Sequence, residues 1–165
     1  MEDRTGYTIL EKAGSEQKRF DIVNYDFKIG TREVVVSSER LIPSGEKTFL
    51  SVEGYEWLKD RTKLLIFTNT KRVWRQNTRG NYRVLDIKDW NLHKLGGNAE
   101  PSTLMFAKFS PGVNRVGYVI KSNIYVENLR TKEIIALSRE GSENIINGSF
   151  DWVYEEELGL RDGFR

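Results

Sequence analysis

Phe109-Ser110-Pro111-Gly112-Val113-Asn114, followed by Val116-Gly117-Tyr118-Val119, decides the fold because an earlier stretch repeats its plan. There Trp57 stands before Lys59-Asp60-Arg61-Thr62, and the apolar run Leu64-Leu65-Ile66-Phe67 follows. Each copy leads into a second run, Tyr82-Arg83-Val84-Leu85-Asp86-Ile87 in one and Asn123-Ile124-Tyr125-Val126-Glu127-Asn128 in the other. A third run ends at Leu92-His93-Lys94-Leu95 and at Ile134-Ile135-Ala136-Leu137. Short runs rich in β-branched and aromatic residues between polar turns are strand signals. Several antiparallel strands recurring every 40 to 50 residues or so have the period of a β-propeller blade.

Working outward, the opening segment supplies Tyr7-Thr8-Ile9-Leu10, Phe20-Asp21-Ile22-Val23-Asn24-Tyr25 and Glu33-Val34-Val35-Val36-Ser37, separated by polar or glycine-containing links. That spacing is a meander, with no helical period of 3.6. Within Asn123–Asn128, Ile124 and Val126 face one way and Tyr125 and Glu127 the other. The expected fold class is all-β, a partial β-propeller of about three antiparallel blades over residues 1–165, with a short helical segment at an acidic motif near the end. Closed propellers have about four to eight blades, so about three imply a fragment of a longer polypeptide whose open faces await further blades.

The two copies differ by an insertion, Asn69 to Asn81, read as a loop between the first and second strands of its blade. It holds four basic residues and Trp74. A solvated basic hairpin accounts for that composition; alternatively, Arg75 presents its fork of donors to a ligand carbonyl or carboxylate.

Composition removes several classes of function. The 26 basic and 24 acidic residues nearly cancel and are scattered, which gives no broad field for nucleic acid. The chain has no cysteine and one histidine, His93, so no thiolate chemistry and no zinc site are expected, and no cofactor is implied. His93 has no nucleophile marked out beside it, and neither a phosphate-cradling glycine loop nor Gly-x-Ser-x-Gly occurs. No apolar run reaches the roughly 20 residues that span a bilayer. Met1-Glu2-Asp3-Arg4 lacks a signal-peptide pattern, so the chain is either cytosolic or written without its leader.

Asp151-Trp152-Val153-Tyr154-Glu155-Glu156-Glu157 places three carboxylates in a row after an aromatic patch. A solvated acidic helix start explains such a run, with carboxylates near the positive end of the helix dipole. The other reading is cation capture: neighbouring carboxylates repel, and two of them accept from the three donors of a primary ammonium.

This heptapeptide resembles the double-glutamate motif in the N-terminal propeller of the dipeptidyl peptidase IV family of serine peptidases. Tyr55 to Asn69 resembles an early blade of that family, Trp74-Arg75 its arginine loop, and Phe109-Ser110-Pro111-Gly112 its recurrent blade turn. The resemblance implies that Glu156 and Glu157 bind the free N-terminal ammonium of a peptide, with Glu155 preceding them, and that Arg75 contacts a substrate carbonyl. It implies release of N-terminal X-Pro or X-Ala dipeptides by a separate α/β-hydrolase domain, no catalytic residue of which is expected within residues 1–165. The partners implied are the peptide, the remaining blades and the hydrolase domain, with room for a homodimer of the full-length enzyme and for a periplasmic or extracellular location. Two alternatives stand beside it: a prolyl tripeptidyl peptidase, and a non-catalytic propeller scaffold that binds a protein through its loops.

Overall fold

Three turns of one design shape the strands. In each, an Asp or Asn side chain accepts from the backbone two residues on: Asp26 from Lys28 (2.7 Å), Asp86 from Lys88 (3.0 Å) and Asn128 from Arg130 (2.9 Å). The same residues donate their own N–H to the carbonyl five positions later, of Thr31, Asn91 and Glu133. The residue before that carbonyl is left-handed in every copy, Gly30 at φ 66°, Trp90 at 60° and Lys132 at 63°. Such side-chain turns fold the chain back sharply and set the register of the strands they join.

The computed structural model describes residues 6–15 and 18–164. It divides into two compact units, one up to Val52 and one from Glu53 onward. In the first, β1 (Gly6–Lys12), β2 (Phe20–Asp26) and β3 (Arg32–Val36) form an antiparallel meander, followed by a 3-10 turn at Ser38–Leu41. Ile22, Val23 and Val36 are fully buried, and Arg32 pairs with Glu11 at 2.7 Å.

The second unit holds two four-stranded meanders. The first comprises β4 (Val52–Trp57), β5 (Lys63–Val73), β6 (Gln76–Asp86) and β7 (Leu92–Lys94). The other comprises β8 (Leu104–Phe109), β9 (Arg115–Ile120), β10 (Asn123–Asn128) and β11 (Ile134–Ala136), and α1 (Trp152–Leu158) follows it. The repeat read from the sequence is geometric: Leu58 N–H donates to Lys63 O and Ser110 N–H to Arg115 O, each at 2.9 Å, with left-handed Arg61 and Val113 at matching places. The architecture is a partial β-propeller.

Residues 69–81 are a correction to the sequence reading. They do not form a loop; β5 and β6 continue through them as an extended hairpin, leaving only Trp74-Arg75 as the turn. The lower part of β6, Arg83–Leu85, pairs with β7, and its upper part pairs with β8 at Arg79↔Met105 and Gly80↔Leu104. One strand therefore joins the two blades. A side chain at Gly80 would place its Cβ 2.3 Å from the Phe67 ring and 2.8 Å from Thr68 O, so only glycine fits the crossing.

Between the blades lies the core, where Leu65, Tyr82 and Val84 pack with Leu104, Val116, Tyr118 and Leu129. Glu127, on the face of β10 that it shares with Tyr125, is buried in this interface at 1% exposure. It accepts from His93 Nε2 of β7 (2.6 Å), from Gly96 N–H (2.9 Å) and from the Tyr118 hydroxyl (3.1 Å). Burial pushes the Glu127 carboxyl up, but the His93 hydrogen bond, the Gly96 N–H, the His93 charge and the Tyr118 hydroxyl outweigh it and hold the group below the usual glutamate range. Burial, reinforced by the Glu127 charge, raises the Tyr118 phenol, which stays a donor at neutral pH. His93, which the sequence offered as an isolated residue in a hairpin, thus ties one blade to the next.

Because the folded carboxyl of Glu127 titrates below the unfolded one, its contribution to stability is complete above the ordinary value of about 4.3 and disappears as pH falls through the lower folded value. Thermal melts at stepped pH should show the parent protein losing stability more steeply than Glu127→Gln below about pH 4.5. At pH 7, Glu127→Gln should cost about 1–3 kcal/mol. Parallel pH curves for the two proteins would contradict the assignment.

Candidate functional site

The extended hairpin and α1 build the site. Past Thr68 most of the arm is exposed, although Thr78 stays buried, and beyond the pairing with β8 the arm is held by its own bonds: Val73 pairs with Gln76, Asn77 Nδ2 donates to Thr70 Oγ1 (3.0 Å), and Arg72 Nε donates to Trp74 O (3.0 Å). Trp74 takes the first place of the two-residue turn with φ 60°, where glycine is favoured, and is 67% exposed. This turn puts Arg75 at the tip.

Local signals set α1. Asp151 caps its start, accepting from Val153 N–H (3.0 Å) and Tyr154 N–H (3.2 Å). Gly159, left-handed at φ 66°, ends it, and Leu160 N–H closes on Tyr154 O at 3.1 Å. The helix expected at the acidic motif is present, but it is seven residues long and buries none of them. A helix this short is marginal alone, so its placement depends on what brackets it.

These two elements meet. Arg75 Nη1 lies 2.6 Å from Glu156 Oε2, with the Arg75 side chain 78% exposed and that of Glu156 26% exposed. The remaining guanidinium donors of Arg75 face solvent. Glu157 is exposed and has no ion-pair partner among the described residues. Glu155 takes a different direction: its side chain is 17% exposed, Arg161 Nε lies 3.9 Å from its Oε1, and that oxygen is buried without a hydrogen bond. Of the four residues singled out from the sequence, the structure joins Arg75 to Glu156, sets Glu157 beside Glu156 on the helix, and turns Glu155 toward Arg161.

Chemically, the arrangement is suited to charge recognition. The glutamates accept hydrogen bonds, the guanidinium donates them in a fixed fork, and together they suit a ligand that carries a cation next to a carbonyl oxygen. Sequence reading missed the groups beneath it. Lys108 of β8 pairs with Asp162 beyond the helix and donates to Phe164 O at 3.0 Å. Nothing in the local pattern of β8 distinguishes Lys108 from a solvated lysine.

A family model, the dipeptidyl peptidase IV (DPP IV) N-terminal region, matches residues 58–165, which include the first blade from β5 onward, the whole of the second blade, the arm and α1. The chain belongs to the dipeptidyl peptidase IV family. Among curated relatives of this family, the probable dipeptidyl-aminopeptidase B of Aspergillus clavatus is 28% identical over 155 residues, 91% of this chain and 17% of that protein. Dipeptidyl aminopeptidase B of Saccharomyces cerevisiae is 34% identical over 126 residues, 76% of this chain and 14% of that protein. The chain thus spans less than a fifth of the length of these relatives. The crystal structure of Porphyromonas gingivalis dipeptidyl peptidase 4 matches 98% of this chain and 22% of its own, with a TM-score of 0.77 and 25% identity. The tricorn protease matches 84% of this chain and 12% of its own at a TM-score of 0.53 and 11% identity, a likeness of fold.

Asp151→Ala removes both cap bonds and should cost about 1 kcal/mol of helix stability. Amide hydrogen exchange should show faster exchange at Val153 and Tyr154 while β9 and β10 are unchanged. Equal protection of the helix in both proteins would show that the cap is not what orders it.

Proposed function

We propose that this region of the dipeptidyl peptidase IV family binds the free N-terminal ammonium of a peptide, and that a hydrolase domain elsewhere in the longer polypeptide releases the N-terminal X-Pro or X-Ala dipeptide. The observation that carries this reading is the contact of Arg75 with Glu156 beside exposed Glu157, which has no ion-pair partner among the described residues. Arg75 neutralises one carboxylate and leaves the second uncompensated, so the pair holds a net negative charge suited to one ammonium. The free donors of Arg75 lie next to that charge and suit the first carbonyl oxygen of the same peptide. An ammonium held in this way fixes one end of the substrate, and the distance from it to the nucleophile sets how many residues are released.

The two glutamates then have unequal tasks. Glu157 supplies the uncompensated charge. Glu156 accepts from the ligand and also holds Arg75 in place. The chain names no residue for bond breaking in this reading; recognition is its contribution.

The test uses the complete peptidase polypeptide with an X-Pro anilide bearing either a free or an acetylated N-terminus. Glu157→Gln and Arg75→Ala should each lower kcat/KM for the free-amine substrate by about tenfold to a hundredfold, the loss of a hydrogen bond to a charged group. Residues 1–165 alone should show no hydrolysis. Equal cleavage of the free and acetylated substrates by the parent enzyme would sink the reading.

A further inference from the structure

The acidic helix is the crown of a long loop, and the two limbs of that loop are paired. Ser149 and Asp162 form an antiparallel bridge, Phe150 N–H donates to Arg161 O (3.1 Å), and Gly163 N–H donates to Gly148 O (3.2 Å). Within the crown, the Phe150 and Tyr154 rings stack at 5.1 Å. These contacts make the loop one body. They do not say where that body sits on the blade.

Each limb has its own attachment. The near limb is fixed through its backbone, Asn147 N–H to Ser122 O at 3.1 Å, and a Cβ on Gly148 would meet Val119 and Ile124 within 2.7 Å. The far limb is fixed through Lys108. Its ammonium pairs with Asp162, donates to Phe164 O at 3.0 Å and stands 4.8 Å from the centre of the Phe164 ring. Lys108 and Asp162 are 28% and 29% exposed, so the pair is only partly screened by water. A register shift between Met105 and Lys108, with Phe106 left-handed at φ 55°, sets Lys108 opposite Gly117 of β9. The Phe164 ring lies over that glycine, where a Cβ would come within 3.0 Å of the ring. The bulge, the bare glycine and the lysine thus form one seat for the far limb.

We propose that Lys108 is a positioning residue of the ammonium site: by clasping Asp162 and Phe164 to β8 it fixes where α1 presents Glu156 and Glu157 relative to Arg75. This rests on the reading of the site given above. The guanidinium of Arg75 reaches Glu156 from a separate arm, so a shift of the loop separates the pair although no contacting residue has changed. A loss of 1 Å in placement is enough to affect binding strongly.

Steady-state kinetics on the complete peptidase polypeptide tests this with the free-amine X-Pro anilide. Lys108→Met should raise KM at least fivefold with kcat changed less than twofold, and Lys108→Arg should recover most of the loss. Asp162→Asn, which keeps the size of the side chain, should raise KM similarly and serves as the test where Lys108→Met does not fold. The double variant should be no worse than the poorer single variant, because both remove one clasp. Lowered kcat/KM in Glu157→Gln with unchanged KM in Lys108→Met and Asp162→Asn would overturn the clasp alone. Unchanged kcat/KM in Glu157→Gln would overturn the ammonium reading on which the clasp rests.

Discussion

A blade of four strands cannot bury either of its faces by itself, and the second unit depends on the contact that solves this. Leu65, Tyr82 and Val84 of one blade meet Val116 and Tyr118 of the next, each contributing about 1.5–3 kcal/mol by leaving water. Inside that contact sits a carboxylate. Burying Glu127 without partners would cost several kcal/mol, and His93, Gly96 and Tyr118 offset this by supplying three donors. His93 and Gly96 come from the first blade and its connection, whereas Glu127 and Tyr118 come from the second. The polar cluster is satisfied only when the blades are in register, so it selects one arrangement from the many that apolar packing alone would tolerate.

The elements that carry Arg75 and the glutamates are set outside this core. The β5–β6 arm continues past the packed region, with Gly80 at its crossing to β8, and ends in the strained turn that exposes Trp74 and Arg75. Residues held in sparsely populated backbone conformations cost on the order of 1 kcal/mol or more and tend to be found at functional sites. On the other side, α1 has caps at both ends and no buried residue. Two exposed elements therefore meet through one ion pair, and their mutual placement is inherited from the rigid blades through the limbs of the helix loop.

Much of the fold was legible locally. The runs at Leu64–Phe67, Tyr82–Asp86 and Asn123–Asn128 read as strands because their composition suits a half-buried pleated surface, and all three are strands. The helix at the acidic motif was legible too, since Asp151 and Gly159 are residues that start and stop helices. The Asp26, Asp86 and Asn128 turns were also written in the sequence, as an Asp or Asn with a lysine or arginine two positions later, and they relate the opening meander to the two blades. The continuation of β5 and β6 through residues 69–81 was not legible. One face of β6 in the arm is buried at Thr78 and Gly80, but those positions carry a polar residue and a glycine rather than apolar side chains, so no alternation of apolar with polar residues marks the strand.

By itself, then, the sequence determined the strand-rich blades, their repeated turns, the capped acidic helix and, through the heptapeptide Asp151–Glu157, the family. All of these are properties of residues close together along the chain. The tertiary structure alone decided that Arg75 meets Glu156, that Glu155 turns toward Arg161, that His93 holds a buried Glu127, and that Lys108 clasps Asp162. Each of these pairs except Glu155 with Arg161 joins residues far apart in the sequence, and even that one depends on the loop closing on itself. A side chain's chemistry is fixed by its type, but its partner is chosen by how sheets stack and loops close, and local periodicity carries no record of that choice.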